Sequence, residues 1–305
     1  MSTLVQSLDR PASLGAMKTA ERRCLQIDAR TFGRDFNRRP FVIGHTLTNH
    51  PLLTLPSLIE LSKRLPESNV RYNRADVPVN GTVYEAPKTG LSIQETIRQI
   101  EDCGSWMVLR FIEQDLEYRK LVDQCLDEIQ AYTDPIMPGM FKREGFVFIT
   151  SPGGVTPFHM DPEYNFLLQI RGSKTASLLN VEDRSIVSEE VLEKFLSGED
   201  YKHEFKNEFR ERASTFELNP GEGLHFPVTF PHWVRNGNEV SISFSITFRS
   251  QQSERREIVY KVNNYLRKRG IQPKPFGKSR LADDAKSFAY RAARFGYSVM
   301  GRRFD

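Results

Sequence analysis

TPFHMDPEYNFLLQIRGSK, residues 156–174, sets a histidine and an aspartate two places apart at the head of an apolar run. On an extended strand successive side chains alternate faces, so positions i and i+2 point the same way. His159 and Asp161 therefore aim an imidazole and a carboxylate at one point. Upstream, Phe146-Val147-Phe148-Ile149 reads as a strand that Ser151-Pro152-Gly153-Gly154 breaks. Downstream, Asn165–Ile170 and Lys174–Leu179 read as a hairpin turning near Gly172.

The strand pattern continues outward. Glu217-Leu218 leads through the Pro220-Gly221-Glu222-Gly223 turn into a strand at 224–226. His232–Arg235 is a further strand, with Asn236-Gly237 as a hairpin turn. In the last strand Val240, Ile242, Phe244, Ile246 and Phe248 face one side, and Ser241, Ser243, Ser245 and Thr247 the other. Many short strands with Gly/Pro turns predict a sandwich or barrel between about 145 and 250.

The flanks read differently. Residues 1–39 look irregular, with a short helix expected near 17–26, and Phe41-Val42-Ile43 is a strand. The spacing of Ser57 and Glu60 predicts a capping box and a helix over 57–64, and Ser92 with Glu95 does the same for 92–100. The stretch 70–90 reads as loop with short strands, 106–111 as a buried strand and 118–132 as a helix. After the barrel, 253–269 reads as an amphipathic helix stopped by Gly270, and Ser279 caps a second helix. The expected fold is mainly β with α additions. It divides into an N-terminal α/β region (1–140), a barrel core (141–250) and basic C-terminal helices (251–305).

The chain has six histidines: His45, His50, His159, His203, His225 and His232. A bare H-x-D pair is common on surfaces, so a metal reading needs a distant third ligand. His232 enters a strand and fits that place; His225, in GLHFP, is the rival. His203 sits in a charged stretch and reads as solvated, while His45 and His50 read as structural. Two neutral imidazoles and one carboxylate suit Fe(II). Of about six metal positions they leave about three open, enough for a bidentate 2-oxo acid and dioxygen.

SPGGVTPFHMDPEYNFLLQIRGSK followed by NPGEGLHFPVTFPHWVRN resembles the JmjC/cupin-like branch of the Fe(II)- and 2-oxoglutarate-dependent dioxygenases, which includes the asparaginyl hydroxylase. The likeness covers about 145–250. It rests on T-x-x-H-x-D, a following Asn, Gly-x-Lys and Pro-x4-His, here Thr156, His159, Asp161, Asn165, Lys174, Pro227 and His232. The resemblance implies a double-stranded β-helix (a jelly-roll, cupin-type barrel). It implies metal ligation by His159, Asp161 and His232, which are also the catalytic set. It places 2-oxoglutarate on Lys174 with the Thr156 hydroxyl, and Asn165 as a nearby polar contact. Ser245 lies close to where the asparaginyl hydroxylase carries an Asn, a residue this strand lacks. The reaction implied is hydroxylation coupled to 2-oxoglutarate decarboxylation. Ordinary cupins use H-x-H with a Glu a few residues later, so an isomerase or zinc-hydrolase site is disfavoured. A non-catalytic barrel serving as a binding or regulatory module is the alternative.

A lysine buried without an anion is costly, so Lys174 on an inward strand calls for one. Cys24, Cys103 and Cys125 form no C-x-x-C, and no signal-peptide pattern opens the chain, which suits a cytoplasmic protein. The net charge of +4 is uneven: residues 254–305 hold 14 Lys/Arg against 5 Asp/Glu, or +9, leaving −5 on the rest. That basic end fits helices that pack or form a homodimer, or a contact with a polyanion such as anionic lipid, lipopolysaccharide precursor or nucleic acid. No motif for reading DNA sequence is present. The substrate stays open among protein side chains, small metabolites and sugars or lipids.

Overall fold

The computed structural model describes residues 23–81, 86–199 and 204–299. The chain runs β1 (Leu25–Gln26), α1 (Ala29–Asp35), β2 (Phe41–His45), α2 (Leu55–Arg64), β3 (Val70–Arg74), α3 (Ile93–Arg98), β4 (Ser105–Arg110) and α4 (Leu116–Thr133). The central strands are β5 (Met140–Thr150), β6 (Val155–His159), β7 (Tyr164–Arg171) and β8 (Lys174–Leu178). Then come α5 (Glu189–Leu196), α6 (Phe209–Arg212), β9 (Ser214–Leu218), β10 (Glu222–Phe226), β11 (His232–Asn236), β12 (Ser241–Ser250), α7 (Gln251–Arg267) and α8 (Arg280–Val299). His203 and most of the expected helix at 17–26 lie outside the described residues; where 17–26 is described, Leu25–Gln26 is a strand.

Two antiparallel sheets make the jelly roll. One has eight strands in the order β1-β2-β10-β7-β12-β5-β4-β3, the other four in the order β6-β11-β8-β9. The N-terminal region thus adds strands at both edges of the larger sheet. Ile242, Phe244, Ile246 and Phe248 of β12 pack in one core with Phe32 of α1 and Tyr118, Val122 and Leu126 of α4. Each such buried side chain contributes roughly 1.5–3 kcal/mol. Gly145 lets α4 lie close, since a Cβ there would sit 2.6 Å from Val122 Cγ2. The Ser/Thr face of β12 is buried as well, with Ser243 and Ser245 all but inaccessible. That face looks into the barrel, not into solvent.

Two turns differ from expectation. β7 and β8 do not pair: β7 lies in the large sheet and β8 in the small one. Likewise β11 and β12 belong to different sheets. Gly172 and Asn236-Gly237 are therefore corners at which the chain changes sheet. The corners lean on each other, with Gly237 N–H donating to Ser173 O at 2.8 Å. The start of α2 also moves: Thr54 caps it, accepting from Ser57 N–H, with Pro56 in the first turn. The capping box at Ser92 and Glu95 is formed. No helix among the described residues is long and apolar enough to cross a membrane.

Candidate active site

His159 ends β6 and His232 begins β11, and the two are register partners across the small sheet. Their ring centroids stand 4.1 Å apart. His159 Nδ1 lies 2.7 Å from Pro157 O, and His232 Nδ1 lies 2.9 Å from Phe230 O. A carbonyl only accepts, so each Nδ1 carries the proton and each Nε2 keeps a lone pair. Both lone pairs belong to nitrogens facing Asp161. Its Oδ1 is 3.8 Å from His159 Nε2 and its Oδ2 3.7 Å from His232 Nε2. These distances are too long for hydrogen bonds. One ligand atom from each residue lies within 4.8 Å of the others. Burial pushes the His232 imidazole down to about 4, with His159 adding to the effect, so His232 is neutral.

Asp161 is held from behind. Thr229 N–H donates to its carbonyl at 2.9 Å. Asn165 Nδ2 approaches its Oδ2 at 3.4 Å, while Ser245 Oγ donates to Asn165 Oδ1 at 2.7 Å and so fixes the amide's orientation. His225, the rival third ligand, lies elsewhere. Its Nδ1 is 3.1 Å from Asn165 O and its Nε2 accepts from Asn37 N–H at 3.1 Å. Packed among Phe36, Phe41 and Phe166, it is pushed down to about 3 by burial and stays neutral.

Lys174, at the start of β8, is buried, and burial alone pushes its ammonium down to about 7. No ion pair or hydrogen bond reaches its Nζ among the described residues. Asn236 is its register partner on β11, and its buried Oδ1 has no hydrogen-bond partner. Thr156 Oγ1 accepts from Trp106 Nε1 at 3.0 Å, so the hydroxyl is fixed by a strand of the opposite sheet. Thr247, register partner of Asn165, also has a buried, partnerless Oγ1. Sequence reasoning missed Trp106, Asn236 and Thr247. Asn236 was hidden in a turn signal, and Thr247 among the serines of one strand face.

Residues 120–255 match the family model of the JmjC domain. The chain carries a JmjC domain. Fe(II) and 2-oxoglutarate are the cofactors of JmjC oxygenases. The JmjC domain here fits both by its own atoms. Two imidazole nitrogens and a carboxylate converge without bonding one another, and a buried lysine lacks an anion. No curated protein matches the sequence. Among solved structures the chain is similar to YcfD, a ribosomal oxygenase from Escherichia coli, at 16% identity and a TM-score of 0.45 over 84% of this chain and 60% of that one. It is also similar to Escherichia coli YcfD in complex with cobalt and 2-oxoglutarate, at 15% identity and a TM-score of 0.47, covering 89% and 68%. The chain thus spans about three fifths of the length of the first of these structures.

Proposed function

We propose that the protein is an Fe(II)- and 2-oxoglutarate-dependent oxygenase that hydroxylates its substrate, with catalysis carried by residues 141–250. The observation that carries this reading is the convergence of His159 Nε2, His232 Nε2 and an Asp161 carboxylate oxygen within 4.8 Å. When bound, the iron and 2-oxoglutarate supply oxygen activation coupled to decarboxylation. The chain's own part is to bind, orient and exclude water. Pro157 and Phe230 carbonyls hold the two imidazoles in the tautomer that leaves Nε2 to donate. Asp161 brings the single negative charge, oriented by Thr229, Asn165 and Ser245. Lys174 takes the distal carboxylate, with the Thr156 hydroxyl beside it and Asn236 as a further polar contact. With Lys174 protonated, one carboxylate, a divalent cation and a dianion sum to zero net charge, which suits a closed pocket.

The test is anaerobic titration of the apoprotein with Fe(II) and 2-oxoglutarate, following the weak visible charge-transfer band. Wild type should show the band, Asp161→Ala should abolish it together with 2-oxoglutarate turnover, and Lys174→Ala should weaken it. Folded, metal-loaded protein without a band would instead assign the barrel to a binding module.

A further inference from the structure

The hydroxyls on the inner face of β12 have fixed partners until the last. Gln169 Nε2 donates to Ser241 Oγ at 3.1 Å, Ser243 Oγ donates to Gln169 Oε1 at 2.8 Å, and Ser245 Oγ donates to Asn165 Oδ1 at 2.7 Å. Thr247 is the next residue on that face. It is 5% exposed, yet its Oγ1 has no hydrogen-bond partner among the described residues. A buried hydroxyl left in this way costs stability, so it calls for a ligand to complete it.

The position of Thr247 along the barrel says which ligand. Gly172 packs against the Val240–Ser241 backbone at the head of β12, and Lys174 follows that corner. The proposed 2-oxoglutarate anchor therefore lies toward the Ser241 end. The triad lies toward the other end, where Asn165, register partner of Thr247, reaches Asp161. Six residues of strand, about 20 Å, separate Ser241 from Thr247. A lysine side chain and a five-carbon diacid do not span that length, so Thr247 stands beside the triad and beyond the cofactor. The site is open there: the His159 and Asp161 side chains are 38% and 34% exposed. On its other flank Thr247 meets Glu144 of β5, its register partner, which is buried.

We propose that Thr247 and Glu144 form the substrate subsite of the barrel, and that it takes a neutral group able both to donate and to accept a hydrogen bond, a carboxamide or a hydroxyl. The proposal rests on the oxygenase reading above. A carboxylate only accepts, so Glu144 calls for an N–H or O–H, while the Thr247 hydroxyl can donate to the oxygen of the same group. Lys142 Nζ lies 3.5 Å from Glu144 and Arg249 lies 2.7 Å from Glu163, so neither carboxylate is left to draw in a cation. An anion would meet the Glu144 carboxylate directly. A group held between Thr247 and Glu144 brings its neighbouring carbon alongside the triad.

The test uses the full chain loaded with Zn(II), a redox-inert stand-in for iron, and 2-oxoglutarate. Saturation-transfer NMR reads the binding of butyramide, 1-butanol, N,N-dimethylbutyramide and butyrate. Butyramide or 1-butanol should bind, and the tighter of the two names the substrate's group. The dimethyl amide, which has no donor, and butyrate should bind at least about 5-fold more weakly, the worth of one net hydrogen bond. Thr247→Val keeps the shape and removes the hydroxyl. It should weaken the tighter probe about 5-fold and leave Zn(II) and 2-oxoglutarate affinities unchanged. Thr247→Ser should bind the probe as wild type does, and Glu144→Leu should erase the preference for butyramide over its dimethyl form. Wild type that holds Zn(II) and 2-oxoglutarate but binds no probe, treats all alike or favours butyrate would overturn this proposal alone. So would a Thr247→Val protein that lost 2-oxoglutarate affinity, since its hydroxyl would then belong to the cofactor. Wild type that held neither Zn(II) nor 2-oxoglutarate would end the oxygenase reading and this proposal with it.

Discussion

Thr229 donates its backbone N–H to the carbonyl oxygen of Asp161 at 2.9 Å, and it does so from a left-handed backbone, φ 64°. A β-branched residue there is strained by roughly 1–3 kcal/mol and persists only where neighbours hold it. The holder is on α7: Arg256 donates to Thr229 Oγ1 at 3.0 Å. Asn37, itself at φ 54°, fixes the residue before it by accepting from Val228 N–H at 3.0 Å. The helix after the barrel thus reaches the proposed metal carboxylate through a single strained residue.

Releasing that strain separates positioning from folding. Arg256→Ala should lower Co(II) affinity about 10-fold, the lower end of what outer-sphere partners of metal ligands contribute. Thr229→Gly adopts φ > 0 without strain and keeps the N–H, so it should bind Co(II) as wild type does. In that background Arg256→Ala should cost nothing further. Isothermal titration of the four proteins gives the coupling; equal losses in both backgrounds would refute the link.

Lys174 sets a pH dependence with a definite sign. Its folded value of about 7 lies below that of a free lysine, about 10.4. Between these values the unfolded chain holds one more proton than the folded one, so apoprotein stability rises with pH across that window. Below about 7 the full cost of a buried charge is present, on the order of a few kcal/mol. Lys174→Met keeps the length and removes the charge. It should raise the apoprotein's melting temperature near pH 6 while weakening 2-oxoglutarate binding. In wild type, 2-oxoglutarate affinity should fall as pH rises above about 7, because the lysine must take up a proton to pair with it. Equilibrium binding across pH 6–9 checks the slope, and a flat profile would remove Lys174 from the anion site.

Much of this was legible in the chain, for local reasons. His159 and Asp161 do converge, though β6 ends at His159 and Asp161 stands in the connection to β7, and His232 does begin a strand; both placements depend on residues near in sequence. The choice between His232 and His225 was not local. It depended on Asn37 and three phenylalanines closing around His225. Strand β5 begins at Met140, earlier than its apolar run, because Phe141 and Met140 pair with the far end of β12. Gly172 and Asn236-Gly237 announced turns correctly, but a turn signal does not say which sheet the next strand joins. At Gly172 a hairpin and a corner call for the same φ > 0 residue.

That difference can be measured at Gly172. A hairpin glycine with φ 65° would tolerate alanine at about 1 kcal/mol, the intrinsic cost of a left-handed L-residue. Here a Cβ would lie 2.5 Å from Val240 O, the backbone of the neighbouring corner, which has no flexible end to move aside. Gly172→Ala should therefore destabilise the fold by about 2–3 kcal/mol. Gly198, at φ 74° with open space within 4 Å of where a Cβ would stand, is the control and should show only the backbone cost, about 1 kcal/mol. Urea unfolding of both variants, with unchanged m-values, reads the two numbers directly. If Gly172→Ala cost no more than Gly198→Ala, the corners would not be packed against each other, and the jelly-roll crossing that brings Lys174 into the barrel would be wrong.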